Sequence, residues 1–332
     1  MSNTRQILAM LRSRAEGDDE QFFAIALQIA AAEARQGRRQ AAEEIRAAVD
    51  VARGKAVAGA TVPIAFGRPR GELEGLLQMR ATRLSLADVV LTDELLSQLS
   101  DLVRQQLRRD WLREHGKTPN RRILFIGPPG SGKTMTAEAL AGELKLPLFI
   151  IRLEALITRY MGETAAKLRL TFDESAKRRG VYLFDEFDAV GGRRAATNDV
   201  AEMRRVLNSF LQFMEEPNAT DSLIVCATNY PELLDRALLR RFDAVLEFRM
   251  PSADEICAIV KANIRPLKYP KINWKRIVAA SERLSQAEIS RAAEDAVKAA
   301  ILEERDCLKT DDLVVRLEDR RRMRDAFAPS GL

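Results

Sequence analysis

The sequence predicts an α/β protein, with a parallel sheet covered by helices, a small helical bundle before the sheet and a helical domain after it. The sheet is indicated by short, continuously apolar segments that begin at residue 123 and alternate with longer segments of helical spacing. Strands that are apolar on both faces are typical of parallel sheets buried between two helical layers. Five such strands are predicted, at residues 123–127, 148–151, 181–185, 223–227 and 244–248.

Recognisable helix starts precede and follow these strands. Thr92 is a typical N-cap, and it is followed by two acidic residues and an apolar stripe. After Pro251 only helical patterns remain. A serine followed three residues later by a glutamate forms a capping box. This part of the chain contains two such pairs, Ser252 with Glu255 and Ser285 with Glu288.

The N-terminal part has a different composition. Residues 4–53 carry three short apolar stripes at helical spacing, which predict a small bundle. Residues 54–71 are rich in glycine and contain two prolines, as linkers often are. The predicted organisation is a bundle at 1–53, a linker at 54–84, an α/β domain at 85–250 and a helical domain with a C-terminal tail at 251–332.

The composition excludes several classes of protein. The chain of 332 residues contains one histidine, His115, whereas a zinc-protease motif needs at least two. The chain therefore cannot form its own zinc-protease site. Its three cysteines form no CxxC pair, which argues against a zinc site or a disulfide framework. No apolar run is long enough to span a membrane, and the first residues lack the apolar core of a signal peptide, so we expect a cytoplasmic protein.

A phosphate-binding loop follows the first predicted strand. The segment GPPGSGKT matches the pattern G-x-x-x-x-G-K-[ST] and opens a predicted helix, which is the context that this motif requires. Its backbone N–H groups and the helix N-terminus favour phosphate, the lysine reaches the terminal phosphates and the threonine binds Mg²⁺. The predicted nucleotide-binding residues are Gly127, Pro128, Pro129, Gly130, Ser131, Gly132, Lys133 and Thr134.

Two acidic residues follow the third predicted strand. In VYLFDEFD, Asp185 emerges at the carboxyl end of the strand, where ligands of parallel sheets bind. We expect Asp185 to hold Mg²⁺ together with Thr134. Glu186, the next residue, is placed to polarise a water molecule for attack on the γ-phosphate.

These motifs and three later segments, YMGE, ATN and LLRRFD, resemble the AAA ATPases of the larger AAA+ group. In the family, YMGE lies between the two motifs above, and ATN and LLRRFD follow them, as they do in this chain. The resemblance covers roughly residues 85–310. It implies a RecA-like α/β domain, a helical lid and a homo-oligomeric ring, usually a hexamer, in which ATP and Mg²⁺ are bound between neighbours.

The resemblance also implies further catalytic residues. Asn229 matches sensor 1, whose amide contacts the γ-phosphate or the attacking water. Arg240 and Arg241 match the arginine fingers that reach the neighbouring subunit's nucleotide. Such a finger accelerates related hydrolases ~10³–10⁵-fold. The two arginines are adjacent, as in the katanin-like and spastin-like branch, and which of them contributes more is left open.

Two segments match the family less closely. LADVVL resembles the segment that contacts adenine, so Asp88 and Val89 are predicted nucleotide contacts, but Val90 replaces a glycine. In the lid, SQAEIS resembles Ser-Gly-Ala-Asp with Gln286 in place of the glycine, and it offers no sensor 2 arginine.

The triplet Tyr160, Met161 and Gly162 matches the first pore loop of the family, which points into the central channel of the ring. An aromatic ring and a flexible thioether can contact almost any side chain, so they would grip a substrate chain with little sequence preference. The glycine would permit a tight bend. A second channel loop is predicted near residues 195–199.

The sequence therefore predicts an ATP-hydrolysing ring that remodels, unfolds or threads protein substrates, with the N-terminal bundle recruiting a substrate or adaptor. If the substrate is then degraded, a separate protease or other effector chain must do so. A nucleic-acid-associated switch or loader is the first alternative, which the net charge of +5 permits. The apolar character of the pore triplet argues against nucleic acid without excluding it. The second alternative is an ATP-dependent regulator of a partner enzyme.

Overall fold

The computed structural model describes residues 72–156, 161–188, 199–234, 239–269 and 271–327, with residues 26, 30 and 43 in addition. The chain divides into two compact units, Met1–Gly67 and Arg68–Leu332. This division falls inside the predicted linker. The three predicted N-terminal helices lie outside the described residues, except for Ala26 and Ala30, which are helical and buried, and Glu43, which is helical and exposed.

A six-stranded sheet forms the centre of the second unit, with the strand order β1-β3-β4-β5-β2-β6. All strand pairs are parallel except that of β1 with β3. The five predicted strands are confirmed, and their ends differ from the prediction by a residue or less. The strands are β1 Leu77–Arg80, β2 Arg122–Ile126, β3 Leu148–Ile151, β4 Val181–Phe184, β5 Leu223–Thr228 and β6 Ala244–Glu247.

Strand β1 is the one that the sequence pattern misses. Its sequence, LQMR, contains two polar residues and so lacks a continuous apolar run. It pairs antiparallel with β3 at the edge of the sheet, with Leu77 opposite Ile151 and Arg80 opposite Leu148. An edge strand with one covered face does not need the apolar pattern of the central strands.

Helices cover both faces of the sheet. Those of the α/β part are α1 Glu72–Leu76, α2 Asp93–Leu107, α3 Arg109–Glu114, α4 Lys133–Glu143, α5 Leu153–Leu156, α6 Met161–Lys177 and α7 Asp199–Glu215. Short 3₁₀ turns occur at Leu86–Asp88 and Pro231–Leu233. The predicted cap of α2 is confirmed, because Leu95 donates its backbone N–H to Thr92 Oγ1 at 3.2 Å.

Alternate strand residues enter two separate cores. Tyr182 and Phe184 of β4 pack with Phe210 of α7 and with residues of α6 on one face. Val181 and Leu183 pack on the other face, with residues of α2 and α4. Because successive side chains of a strand point to opposite faces, a strand buried on both faces must be apolar throughout. This requirement is why β2 to β5 are recognisable in the sequence.

The chain continues into a helical lid with a core of its own. Its helices are α8 Ala253–Asn263, α9 Trp274–Ala280, α10 Gln286–Leu302 and α11 Thr310–Phe327. Val260, Ile277, Ile289 and Leu313 are among the buried residues where these helices meet. Both predicted capping boxes are present, at the first turns of α8 and α10. In the part of the chain that the structure describes, no helix is long and apolar enough to cross a membrane.

Candidate active site

The strand order brings three loops to one end of the sheet, which we call the carboxyl edge. Strands β4, β5 and β2 are neighbours and run parallel, so the loops that follow them begin side by side. The loop after β2 is the phosphate loop, the turn after β4 contains Asp185 and Glu186, and Asn229 follows β5. Residues from three distant parts of the sequence thus form one site, as is usual for ligand sites in parallel sheets.

The phosphate loop lies close to the main chain of β6. Gly127 has φ +151°, and a Cβ atom at this position would lie 2.3 Å from the carbonyl oxygen of Phe248. Any larger residue at Gly127 would displace the start of the loop from the sheet. The glycine therefore allows the loop to turn across the end of β6.

Lys133, the first residue of α4, has its ammonium group surrounded by oxygen acceptors. Its Nζ donates to the carbonyl oxygens of Gly127 and Pro128 and to Asn229 Oδ1, each at 2.8 Å. Burial lowers the pKa of Lys133, while the nearby carboxylates of Asp185 and Asp188 act in the opposite direction. The structure thus brings the predicted phosphate-binding lysine and the predicted sensor 1 residue into direct contact.

The two predicted magnesium ligands are also in contact. Thr134 Oγ1 donates to Asp185 Oδ2 at 2.7 Å. A hydroxyl and a carboxylate are oxygen ligands of the type that Mg²⁺ prefers, and nucleotide phosphates with water molecules complete its shell in related sites. Among the described residues, no group of three or more His, Cys, Asp or Glu side chains could hold a metal without such help. Thr134 and Asp185 therefore fit a magnesium ion that arrives with the nucleotide.

Glu186 is exposed and lies in a constrained turn. Its φ of +52° is uncommon for a residue other than glycine, and its N–H donates to Asp185 Oδ1 at 3.0 Å. The next residue, Phe187, is buried, and its N–H donates to the carbonyl oxygen of Ala227 at 2.8 Å. Packing and hydrogen bonds thus fix the backbone on both sides while the carboxylate stays accessible to water, as a general base requires.

A third carboxylate in this turn was not predicted to have a role. Asp188 Oδ1 accepts hydrogen bonds from Thr228 Oγ1 at 3.0 Å and from the N–H of Asn229 at 3.3 Å. It thereby joins the turn after β4 to the end of β5 and sets the backbone of Asn229. The sequence shows Asp188 as a further acidic residue in this turn, but it does not show that Thr228 and Asn229 are its hydrogen-bond partners. That contact is visible only in the tertiary structure.

The lid contacts the phosphate loop through the first turn of α10. The N–H of Ala287 donates to the carbonyl oxygen of Gly130 at 3.0 Å. A Cβ atom at Gly130 would lie 2.7 Å from Ser285 Oγ. Gln286 Nε2 donates to the carbonyl oxygen of Val90 at 3.0 Å, so its amide connects the lid to the segment before α2. The sequence marked Gln286 only as a departure from the family pattern.

The two predicted adenine contacts have structural partners near this junction. Asp88 Oδ2 accepts hydrogen bonds from the N–H and the hydroxyl of Ser85, at 2.8 and 2.9 Å. The backbone hydrogen bond is the main cause of the lowered pKa of Asp88. Val89 is buried in the core on the α4 face of the sheet. The role of these two residues in binding adenine stays a prediction.

The predicted pore residues are only partly described. Tyr160 lies outside the described residues, and Met161 and Gly162 form the first turn of α6 instead of a loop. Of the second predicted channel loop, Asp199 begins α7, and residues 195–198 lie outside the described residues. The gripping role of both segments stays a prediction.

The arginine pair lies at the opposite end of the sheet from the phosphate loop. Strand β6 begins at Ala244, which pairs with Ile123 near the start of the parallel strand β2. Arg240 and Arg241 precede β6, whereas the phosphate loop follows β2. At ~3.3 Å per residue, the ends of the five-residue strand β2 are about 13 Å apart. The structure therefore does not bring the pair to the phosphate loop of the same chain.

The segment after the arginine pair is firmly attached to the start of β2. Asp243 Oδ2 accepts hydrogen bonds from the N–H groups of Arg121 and Arg122, both at 2.9 Å. Its Oδ1 accepts from Arg122 Nε at 3.0 Å. Burial alone would raise the pKa of Asp243, but these hydrogen bonds outweigh it and the pKa is lowered. Phe242 is buried as well, so the backbone next to Arg240 and Arg241 has a defined position.

The fold and the site together define a class. A parallel sheet carries a complete phosphate loop, a threonine–carboxylate pair for magnesium, and an exposed glutamate beside them. This combination is that of the P-loop nucleotide hydrolases.

Comparison with known proteins narrows the class. Residues 123–250 match the model of the ATPase family associated with various cellular activities (AAA). An uncharacterized AAA family ATPase of Sinorhizobium fredii, y4kL, is 37% identical over 311 residues, which is 93% of each chain. The chain therefore belongs to the AAA ATPase family, and it hydrolyses ATP. The likeness of its arginine segment to the katanin-like and spastin-like branch stays a prediction.

Other relatives are longer than this chain. The ATP-dependent zinc metalloprotease FtsH 1 of Methylacidiphilum infernorum is 33% identical over 73% of this chain, but the match covers 39% of the relative. The probable 26S proteasome regulatory subunit 10B of Caenorhabditis elegans is 30% identical over 70% of this chain and 59% of its own length. Each match thus covers only part of the relative, and the remainder of those proteins has no counterpart in the match.

Proposed function

We propose that this chain is one subunit of a ring in which each ATP site is completed by the arginine pair of the neighbouring subunit. The observation that carries this proposal is the separation between the phosphate loop and the pair, which lie at opposite ends of the same sheet. Arg240 and Arg241 cannot reach the nucleotide of their own chain, so a catalytic role for them requires a second copy.

The residues of one chain would carry out most of the reaction. The N–H groups of the phosphate loop and Lys133 bind the β- and γ-phosphates, and the phosphate oxygens replace the protein acceptors that Lys133 contacts here. Thr134 and Asp185 would hold a magnesium ion, which when bound would supply positive charge that stabilises the transferred phosphoryl group. Asn229 orients a water molecule, and Glu186 accepts its proton as the water oxygen bonds to the γ-phosphorus. The bond from the γ-phosphorus to the β,γ-bridging oxygen breaks, and ADP leaves with phosphate as the other product.

The neighbouring subunit would supply the remaining charge. Negative charge accumulates on the γ-phosphate oxygens in the transition state, and an arginine from the next chain stabilises it. Hydrolysis would then depend on assembly, and the nucleotide bound at one site could affect the neighbouring subunit through the arginine pair. Changes at successive interfaces would move the pore residues and thereby act on a substrate.

A protein substrate is supported by two findings. Two of the three relatives named above are an ATP-dependent zinc metalloprotease and a probable regulatory subunit of the 26S proteasome. The predicted pore triplet combines an aromatic residue with a methionine, which suits tolerant contact with a polypeptide. These 332 residues contain one histidine, which is too few for a zinc-protease motif, so the proposed role is work on the substrate and not its cleavage.

The shared site can be tested by mixing two inactive variants. Glu186→Gln removes the general base, and Arg240→Ala with Arg241→Ala removes the pair, so each variant alone should hydrolyse ATP about 10³-fold more slowly. In a mixed ring, some interfaces combine an intact Glu186 with an intact arginine pair. We therefore expect ATPase activity to return on mixing, measured as phosphate release.

A matched control combines Glu186→Gln with Lys133→Ala, whose defects lie in the same half-site. Interfaces in that mixture always contain a defective phosphate loop or base, so its activity should stay at the level of the single variants. If the first mixture also stays inactive although it forms mixed assemblies on a sizing column, or if the arginine double variant is fully active alone, the shared site is wrong.

A further inference from the structure

The two adjacent arginines differ in their surroundings. Arg241 forms an ion pair with Glu215, the last residue of α7, through Nη1 and Oε1. Arg240 is exposed, and within the described residues no ion pair is found for it. The two adjacent guanidinium groups thus differ: the charge of Arg241 is paired with a carboxylate, whereas the charge of Arg240 can interact with another anion.

We propose that Arg240 is the residue presented to the neighbouring subunit's nucleotide, and that Arg241 is a positioning residue held by Glu215. This inference rests on the proposed function, since it divides the roles within the arginine pair of the shared site. It also assigns a role to Glu215, which none of the motifs contains.

Both partners of the ion pair are attached to the same core. Met214, directly before Glu215, is buried, and Leu239, two residues before Arg241, packs against the same cluster. Phe242, directly after Arg241, is buried in that cluster too. The two side chains therefore extend from fixed backbones, and the ion pair needs less ordering than one between two mobile surface chains.

Further contacts hold the same region. Glu216 accepts a hydrogen bond from Arg169 of α6 at 2.6 Å, and its carbonyl oxygen accepts one from Arg121 at 2.8 Å. The Asp243 carboxylate accepts hydrogen bonds from the backbone N–H groups of Arg121 and Arg122. Hydrogen bonds to the start of β2 thus connect the end of α7 with the backbone next to Arg240 and Arg241. The Arg241–Glu215 contact completes this connection on the solvent side.

Charge explains why Arg240 should be the one that reaches the phosphate. Arg241 would have to leave a carboxylate to bind another anion, whereas Arg240 has no such competitor among the described residues. The Arg241–Glu215 pair is about half exposed, with side-chain accessibilities of 41% and 46%. Exposed pairs of this kind contribute little to stability. Its consequence is therefore geometric, because it directs the chain between Leu239 and Phe242 and so orients Arg240.

Exchanging the two charges tests this division of roles. We expect Arg240→Ala to lower kcat about 10³-fold. Arg241→Ala and Glu215→Ala should each lower it about 10–100-fold through misplacement of Arg240, with KM for ATP almost unchanged. The Glu215→Arg/Arg241→Glu double exchange restores the ion pair in reverse, and it should recover to within about threefold of wild type. Assembly of every variant is checked on a sizing column with ATP.

The outcomes separate this inference from the proposed function. If the double exchange is as inactive as Arg240→Ala, Arg241 itself contacts the nucleotide, and the inference is overturned while the shared site stands. Full activity of Glu215→Ala, or a loss in Arg241→Ala equal to that in Arg240→Ala, would also overturn it. If Arg240→Ala and Arg241→Ala are both fully active, the shared site itself fails.

Discussion

Single carboxylates determine much of the geometry of this protein, and Asp243 shows how. It accepts two backbone N–H groups and the guanidinium of Arg122, at a half-buried position where β2 and β6 begin. Hydrogen bonds to a charged group contribute about 1.5–3 kcal/mol each. Asp188 has a similar function at the other end of the sheet, where it holds the backbone of Asn229. Neither residue needs to touch the nucleotide to place those that do.

The pKa of Asp243 leads to a prediction about stability and pH. Its pKa is lowered in the folded chain, so its stabilising effect is fully present above the unfolded value of about 4 and is lost as pH falls through the lowered value. Asp243→Asn should therefore lower the free energy of unfolding by about 2 kcal/mol at pH 7. Below about pH 4 the difference from wild type should shrink, because the unfolded wild-type chain takes up a proton on Asp243 there, and the folded chain does so only at lower pH.

Denaturant unfolding at several pH values measures this difference. The control is Glu282→Gln, since Glu282 is exposed and no ion pair is found for it in the described part of the chain. This variant should match wild type at every pH. A loss in Asp243→Asn that is the same at all pH values would show that the side-chain amide fails for reasons of shape, not charge.

At the scale of secondary structure, helix starts connect the lid to the nucleotide. Helices α8 and α10 begin with the same capping box, a serine paired with a glutamate three residues later. Only the one at α10 lies against the phosphate loop, where Ala287 donates to the carbonyl oxygen of Gly130. Ser252, at the start of α8, is exposed. The same local sequence signal thus has two different consequences.

This pair of caps provides a matched test. Ser285→Ala and Ser252→Ala should each reduce stability by about 1 kcal/mol, because each removes the cap of one helix. Only Ser285→Ala should also weaken ATP binding, by about three- to tenfold, since it loosens the turn that contacts Gly130. Titration with a fluorescent nucleotide measures the affinity. Equal affinities for the two variants would mean that the first turn of α10 does not act on the phosphate loop.

At the scale of the whole molecule, the proposed ring gives a role in the reaction to the arginine pair, which lies far from the phosphate loop of its own chain. A single chain brings the predicted phosphate-binding residues together, but its arginine pair precedes β6 and so lies at the opposite end of the sheet. Assembly would join the two halves, and the pore triplet would transmit the resulting movement to a substrate. The residues for binding, hydrolysis and work on a substrate can therefore be separated by substitution.

Tyr160 provides that separation. Tyr160→Ala should keep basal ATP hydrolysis and lose its stimulation by unfolded protein, since it removes the predicted grip without touching the nucleotide site. Tyr160→Phe keeps the aromatic side chain, so ATP hydrolysis by this variant should still be stimulated by unfolded protein. Phosphate release is measured with an unfolded protein and, in parallel, with single- and double-stranded DNA. Stimulation by DNA alone would favour the nucleic-acid switch, and unchanged stimulation in Tyr160→Ala would contradict the gripping role.

Some secondary-structure elements of this protein were predictable from the sequence alone, and others were not. The strands of the central sheet were predictable because burial on both faces requires a continuous apolar run. Strand β1 was not, since an edge position tolerates Gln78 and Arg80. The helix start at Met161 was also missed, because no capping signal precedes it in the sequence.

The sequence by itself determined the family, and it predicted the phosphate loop and the two magnesium ligands, because these depend on residue types at short, fixed spacings. Only the tertiary structure decided which distant groups meet: Lys133 with Asn229, Asp188 with the end of β5, Gln286 with Val90, and Glu215 with Arg241. The reason is physical. A hydrogen bond or ion pair between residues far apart in the chain depends on strand order and helix packing, which no local pattern records.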